Sequence, residues 1–474
     1  MLDPKDWERF RELAHRAVDD AIDYQRDVRE RPVWQPVPSA IQESLAEALP
    51  VRPTALSDVY DRFVREILPF SSGNISPRFF GWVQGTGTPT GALAELLAAT
   101  MNPNVGGRNH VAVYVERAVI AWFRTLFGFP DSASGVLTVG TSAANLIAVV
   151  AARTHALGPK AREIGVQGSG KKLVGYASRS THVCVRKAFE IAGLGASALH
   201  ILPVDARHRV DPEAMASAIA SDRANGLEPF LIVGNAGTVD VGAIDPLDAL
   251  ADLAAREKMW FHVDGAFGAP GVLAPSLRPM LAGMERADSL AFDFHKWIHV
   301  PYDAGCVLVR DGELHRAAFA SDGPYITRME RGLASATPWF TDYGIDLSRG
   351  FRALKIWFTI QEHGSERIGA AIEANVRQAS MLGSLIDAHQ YFELLAPVQT
   401  NVVCFRYRPT GMSEAQLDTF NDNLVIALQE SGDAVVSSTT VNSRRAIRIC
   451  IVNHRTQDTD VRATLDALEK LALR

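Results

Sequence analysis

Lys296 ends the stretch Ala287-Asp-Ser-Leu-Ala-Phe-Asp-Phe-His-Lys, flanked by His295 and Trp297 and following an apolar, strand-like run. A lysine crowded by apolar residues at a strand end is where loss of water lowers an amine's pKa and makes it nucleophilic. Most lysines instead lay an apolar stem along a surface, and that reading stands beside the first. Asp264 ends a second apolar run, Met259-Trp-Phe-His-Val, and precedes Gly265-Ala-Phe-Gly. Such an aspartate is ordinarily a turn or capping residue. The interval from Asp264 to Lys296, however, fits one crossover plus one strand, so two neighbouring parallel strands would bring a carboxylate and an amine to the same edge. Pyridoxal phosphate requires that pair: an amine for its aldehyde, and a carboxylate that keeps its pyridine nitrogen protonated.

A phosphate site is available in Val139-Gly-Thr-Ser-Ala-Ala-Asn, where Thr141 and Ser142 offer hydroxyls and backbone N–H groups between a strand and a helix. Alone it reads as an N-cap. No Gly-Lys-Ser/Thr follows, which excludes a nucleotide P-loop, and Gly234-Asn-Ala-Gly-Thr-Val-Asp-Val-Gly lacks the spacing of a dinucleotide fingerprint. His182, in Arg179-Ser-Thr-His-Val-Cys, opens a helix after a strand. An imidazole there has its cation disfavoured, and its flat neutral ring can stack on a planar cofactor. His295 and His299 are four apart but lack the glutamate of His-Glu-x-x-His and any evident third ligand, so no metal is expected.

These residues need rigid elements to hold them. From residue 76 to 350, short apolar runs alternate with helical stretches. Gly135–Val139 precedes a helix at Ala143–Thr154, and Leu173–Ala177 one at Thr181–Ala192. Leu199–Val204, Phe230–Val233, Trp260–Val263, Ser289–Phe292 and Cys306–Val309 follow. Continuous apolar strands with helices between them predict an α/β domain with a mostly parallel sheet covered on both faces. Residues 351–474 read helix, helix, strand, strand, helix, strand, strand, helix, a smaller α+β unit whose clearest elements are Asn401–Tyr407, Arg445–Val452 and Asp458–Leu471. Residues 1–75 read as helices. Asp3-Pro4 is the expected start of the first, and Phe10, Ala14, Ala17, Ala21, Tyr24 and Val28 form one apolar stripe along it, suited to docking on a second subunit or on the chain itself.

Composition narrows the field. The 474 residues carry 48 Lys and Arg against 54 Asp and Glu, a net charge of −6, which leaves no dense basic face for nucleic acid. The four cysteines (Cys184, Cys306, Cys404 and Cys450) lie far apart in apolar stretches, as expected of reduced thiols in a cytoplasmic protein. The charged N-terminus is not a secretory signal, and no apolar run is long enough to span a membrane.

Taken together, these motifs resemble the group II pyridoxal-phosphate-dependent decarboxylases, the family of aromatic-L-amino-acid and glutamate decarboxylases, from about Phe79 to the C-terminus. His295-Lys296-Trp297 resembles the Schiff-base lysine motif, and His262-Val-Asp264-Gly-Ala266 the strand carrying the pyridinium partner. Gly140-Thr-Ser-Ala is similar to the phosphate loop, His182 to the ring-stacking histidine, and Gly237-Thr238 to the threonine beside the ring. Ser348–Phe358 resembles the helix after the family's mobile loop. The resemblance implies a fold-type-I domain and a homodimer with active sites at the interface, the N-terminal helices wrapping across it. It assigns cofactor contacts to Thr141, Ser142, His182, Thr238, Asp264, Ala266, Asp293, His295 and Lys296, and substrate contacts to Trp82, Gly85, Asn102 and Asn104. Tyr325, in Asp322-Gly-Pro-Tyr-Ile-Thr, corresponds to the loop tyrosine that protonates Cα. Two departures stand out. Asp293-Phe294 replaces the common Asn-Pro, which sets a carboxylate near phosphate unless it is protonated, cation-paired or turned away. Asn102-Pro-Asn104 replaces larger apolar residues of the aromatic decarboxylases.

The implied activity is decarboxylation of an L-amino acid, aromatic in preference, to the amine and CO₂. An aldehyde synthase on the same scaffold is the first alternative, although Tyr325 and His182 are both kept. A decarboxylase of acidic or other amino acids is the second. A non-catalytic pyridoxal-binding protein would have lost Lys296 or Asp264, and a nicotinamide dehydrogenase would need the missing glycine fingerprint.

Overall fold

The computed structural model describes residues 2–321, 323 and 327–473. Seven strands build the larger sheet: β1 (Ser134–Thr138), β2 (Leu173–Ser178), β3 (Leu199–Leu202), β4 (Glu228–Asn235), β5 (Trp260–Asp264), β6 (Ser289–Asp293) and β7 (Gly305–Val309). Their order is β1-β7-β6-β5-β4-β2-β3. From β3 to β6 all neighbours are parallel, and helices cover the sheet, so β2, β5 and β6 are buried along their whole length. That explains their unbroken apolar sequences. Only β7 runs antiparallel to its neighbours, β6 and β1. Residues 294–304, which link β6 to β7, contain no helix and cannot make a parallel crossover, so the chain must turn back. Lys296 sits in that reversal, and Asp264 ends β5, the parallel neighbour of β6.

The C-terminal part builds a separate antiparallel sheet of β8 (Phe392–Leu394), β9 (Val402–Tyr407), β10 (Ser437–Val441) and β11 (Arg444–Cys450), in the order β10-β11-β9-β8. The expected pair of leading helices spans Arg352–Asp387, the two meeting at Gly364, whose backbone is non-helical (φ 64°). The helices Glu414–Ser431 and Asp458–Ala472 complete this second hydrophobic core.

The N-terminal helix runs Trp7–Arg26 and starts later than its sequence suggested. Asp6, not Asp3, is its cap, because the Asp6 side chain accepts from the Glu8 and Arg9 N–H groups. The helix buries none of its residues, and Phe10 is 39% exposed. It pairs polar groups with the helix Leu56–Arg62, through Arg16 to Asp61 at 2.6 Å and Tyr60 to Asp20 at 2.6 Å. Beyond it, Val28 and Val33 are buried, and Arg29 bonds Asp460 at 2.9 Å. Among the described residues no helix is long and apolar enough to cross a membrane.

Several histidines are sealed in. Burial holds His299 and His315 down to about 3 and His262 to about 4. Neither ring nitrogen of His299 has a hydrogen-bond partner among the described residues, and the His454 ring lies 4.8 Å away. Such groups are neutral when folded and take up a proton when unfolded below about pH 6.5. Their contribution is therefore fully present above that pH and lost as pH falls toward the folded values, at up to ~1.4 kcal/mol per pH unit for each. His299→Leu should flatten the decline in denaturant midpoint between pH 6.5 and 4 by about one proton's worth. An unchanged slope would show that His299 does not titrate on unfolding.

Candidate active site

Three strand ends meet at the carboxyl edge of the sheet: Asn235 of β4, Asp264 of β5 and Asp293 of β6, with Asn235 and Asp264 in direct register. They border a cavity of about 500 Å³ also lined by Trp82, Thr141, Ser142, His182, Thr238, Ala266, His295 and Lys296. Thus most of the residues singled out by sequence converge on one space, at the place where ligands of open α/β sheets bind.

The amine differs from its sequence expectation. Burial works against the charge of Lys296, but the charge of Asp293 and the hydrogen bond Lys296 donates to it outweigh burial, and the amine is held above its ordinary range. Its Nζ lies 2.9 Å from Asp293 Oδ2. Lys296 is therefore an ion-paired cation rather than a desolvated free amine, because a carboxylate three residues earlier is buried with it. Asp293 is accordingly cation-paired, not turned away. Its other oxygen accepts the Thr141 N–H at 2.7 Å, and His295 Nε2 stands 3.7 Å from Oδ2. Thr141 begins the helix Thr141–Leu157, and its buried hydroxyl has no hydrogen-bond partner among the described residues, while Ser142 is exposed.

Asp264 is held by a chain of polar groups that reaches down into the sheet. Trp260 Nε1–H donates to Ser289 Oγ at 2.8 Å, and Ser289 Oγ lies 2.8 Å from His262 Nδ1. His262 Nε2 is 2.8 Å from Asn145 Oδ1, and Asn145 Nδ2 donates to Asp264 Oδ2 at 3.0 Å. An indole can only donate and a carboxylate can only accept, so every proton has one direction: Ser289 to Nδ1, His262 Nε2–H to the amide oxygen, amide N–H to Asp264. The remaining oxygen accepts the Ala266 N–H at 3.1 Å. His182 caps the helix Val183–Ile191, its Nδ1 accepting the Cys184 N–H at 3.2 Å. Thr238 Oγ1 accepts the Ala243 N–H at 3.0 Å. Burial pushes the neighbouring Cys184 thiol up to about 12, with Asp264 adding to it, so it is not a nucleophile.

Other expected residues lie elsewhere. Gly85 is not in the lining. A Cβ there would come 1.7 Å from the His295 carbonyl oxygen, so its role is close backbone approach behind the lysine turn. Within one chain Asn102 and Asn104 are also outside the cavity. Asn102 ends the helix Pro89–Met101 in a left-handed conformation, and Asn104 Oδ1 accepts the N–H groups of Gly106 and Arg349. Tyr325 lies outside the described residues. Sequence reading missed Asn145, Asn235, His262, Phe267, Tyr302 and Arg448. Tyr302 faces the His295 ring at 4.2 Å. Arg448 of β11 donates to the Trp82 carbonyl at 2.8 Å, and Ser437 Oγ accepts the Trp82 N–H at 3.2 Å, so the C-terminal sheet fixes the backbone that carries Trp82.

This donor set fits pyridoxal phosphate: an amine for its aldehyde, a braced carboxylate for its pyridine nitrogen, and a helix N-terminus with an unpartnered threonine hydroxyl for its phosphate. Residues 38–408 match the pyridoxal-dependent decarboxylase conserved domain. The chain belongs to this family. The decarboxylase is 31% identical over 469 residues to an aromatic-L-amino-acid decarboxylase of Bacillus atrophaeus, covering 98% of this chain and 96% of that one. It is 29% identical over 485 residues to phenylacetaldehyde synthase of Arabidopsis thaliana, covering 100% and 97%. Its fold matches the crystal structure of Oryza sativa TDC with PLP and tryptamine with a TM-score of 0.91, at 26% identity over 100% of this chain and 99% of that one. The decarboxylase therefore has the fold-type-I α/β architecture, and its cofactor is pyridoxal phosphate.

Proposed function

We propose that this decarboxylase removes the α-carboxylate from an L-amino acid with an aromatic side chain, releasing the amine and CO₂. The observation that carries the side-chain preference is the lining of the cavity. Trp82, Phe267 and Tyr302 supply apolar faces, and among the described lining residues Lys296 is the only lysine or arginine. A side-chain carboxylate would enter without a cation of its own, which argues against an acidic substrate. The aromatic-L-amino-acid decarboxylase of Bacillus atrophaeus supports the same reading.

When bound, pyridoxal phosphate supplies a ring that accepts the electron pair left on Cα as CO₂ departs. Each residue then has a task. Lys296 would hold the cofactor through its aldehyde. Asp264 holds a proton on the pyridine nitrogen, and Asn145 keeps that carboxylate in place. The flat ring of His182 stacks on the cofactor, and Thr238 borders it. Thr141 and Ser142 bind the phosphate, with His295 and Ala266 shaping the space between. Tyr325 delivers the proton to Cα.

The reading includes a homodimer. The helix Pro89–Met101 leaves Leu93, Leu96, Leu97 and Met101 exposed, and the N-terminal helix buries none of its residues. Residues 1–75 would act as the arm across that interface, with Asn102 and Asn104 serving the substrate site through the assembled pair. Four buried free cysteines support a reducing, cytoplasmic setting.

A screen of the common L-amino acids that follows amine, CO₂, aldehyde and peroxide together tests the proposal. Aromatic amino acids should be turned over best, with amine as the main product. Preference for an acidic substrate would contradict the reading of the pocket, and aldehyde as the main product would contradict the reading of the reaction.

A further inference from the structure

Asp293 stands where the family commonly has asparagine, and nothing in the proposed reaction uses its charge. Its two oxygens are engaged by two different groups: Oδ1 by the Thr141 N–H at 2.7 Å, and Oδ2 by Lys296 Nζ at 2.9 Å. In the reading above, those groups belong to the phosphate and the aldehyde of the cofactor. Both substituents are carried on adjacent carbons of one ring, so a single small carboxylate can reach both of their sites. The carboxylate is also walled in. Asp293 is 2% exposed, and a Cβ on Gly305 would come 2.7 Å from its Oδ1 and 2.6 Å from the Gly140 Cα. The Gly140 and Gly305 backbones therefore close one side of it, while the cavity lies on another. The charged and titratable groups facing it are Lys296 and His295, with Asp264 and Tyr302 beyond the lysine.

We propose that Asp293 is a resident anion of the cofactor site, holding the helix head and the lysine together and weakening the chain's hold on the cofactor's phosphate. The proposal rests on assigning Thr141 and Ser142 to phosphate. Without a ligand, Asp293 performs the anion's part itself: it satisfies the helix N-terminus and neutralises the buried amine. A phosphate entering that space would meet a like charge. Asparagine at this position would keep the shape and one acceptor for Thr141 while removing the charge.

The test uses the apoenzyme and two probes that lack the aldehyde: 4-deoxypyridoxine 5′-phosphate and 4-deoxypyridoxine. Neither can bond covalently to Lys296, so titration reads recognition alone. Asp293→Asn and, as a second neutral variant, Asp293→Ser should bind the phosphorylated probe about tenfold more tightly than wild type. Binding of the unphosphorylated probe should stay within about twofold. Circular dichroism and melting of each apoprotein select the variants that remain folded. Unchanged or weaker binding of the phosphorylated probe by the folded variants would overturn the proposal, as would an equal gain for both probes. Wild type binding both probes alike would overturn the phosphate assignment itself, and the proposal with it.

Discussion

Asp264→Asn should retain pyridoxal phosphate yet lose decarboxylation by several orders of magnitude. The change preserves shape but removes the charge that keeps a proton on the pyridine nitrogen, and without that proton the ring is a poor electron sink. The surroundings of Asp264 make substitution harsher than charge loss alone. Two donors, Asn145 Nδ2 and the Ala266 N–H, each point at one carboxylate oxygen. An amide offers only one oxygen to that pair, and its NH₂ would face a donor. Because His262 and Ser289 fix the direction of Asn145, the asparagine side chain cannot simply flip to accommodate it. Steady-state rates and cofactor absorbance on the same preparation decide the matter. A variant within tenfold of wild type, a barrier change below about 1.4 kcal/mol, would rule out this role.

The second large effect concerns product rather than rate. Protonation at Cα gives amine, whereas reaction with O₂ gives aldehyde, ammonia and peroxide, and the outcome depends on an acid being in place in time. Tyr325 is the proposed acid. Tyr325→Phe removes only the hydroxyl, so it should slow protonation and divert most turnover to aldehyde. Parallel measurement of amine, aldehyde and O₂ uptake would show the switch. An unchanged amine yield and rate would assign the proton to another group.

Lys296 and Asp264 were legible because each follows a continuous apolar run, a pattern that means a buried parallel strand with its end at the ligand edge. Asn235 ends β4 in the same way and could have been read from the same signal. Asn145 and His262 could not. Each is a polar residue within an otherwise apolar element, and only the packing of the helix Thr141–Leu157 against β5 shows that they face each other. The state of Lys296 was misread for a related reason. Its sequence neighbours are apolar, but the turn after β6 folds the amine back onto Asp293, and a pairing across three residues decides the charge. The antiparallel β7 has the same origin: strand composition reports burial, whereas direction is set by the length of the connection. The start at Asp6 rather than Asp3 reflects local hydrogen bonding between two aspartates of equal capping propensity.

Lys296 is the residue proposed to bind the cofactor's aldehyde. Reduction of the purified holoenzyme with borohydride, followed by proteolysis and mass spectrometry, tests it directly. The protein should be yellow, with a stable pyridoxyl label on the peptide containing His295-Lys296-Trp297. A label on any other lysine, or none, would contradict it.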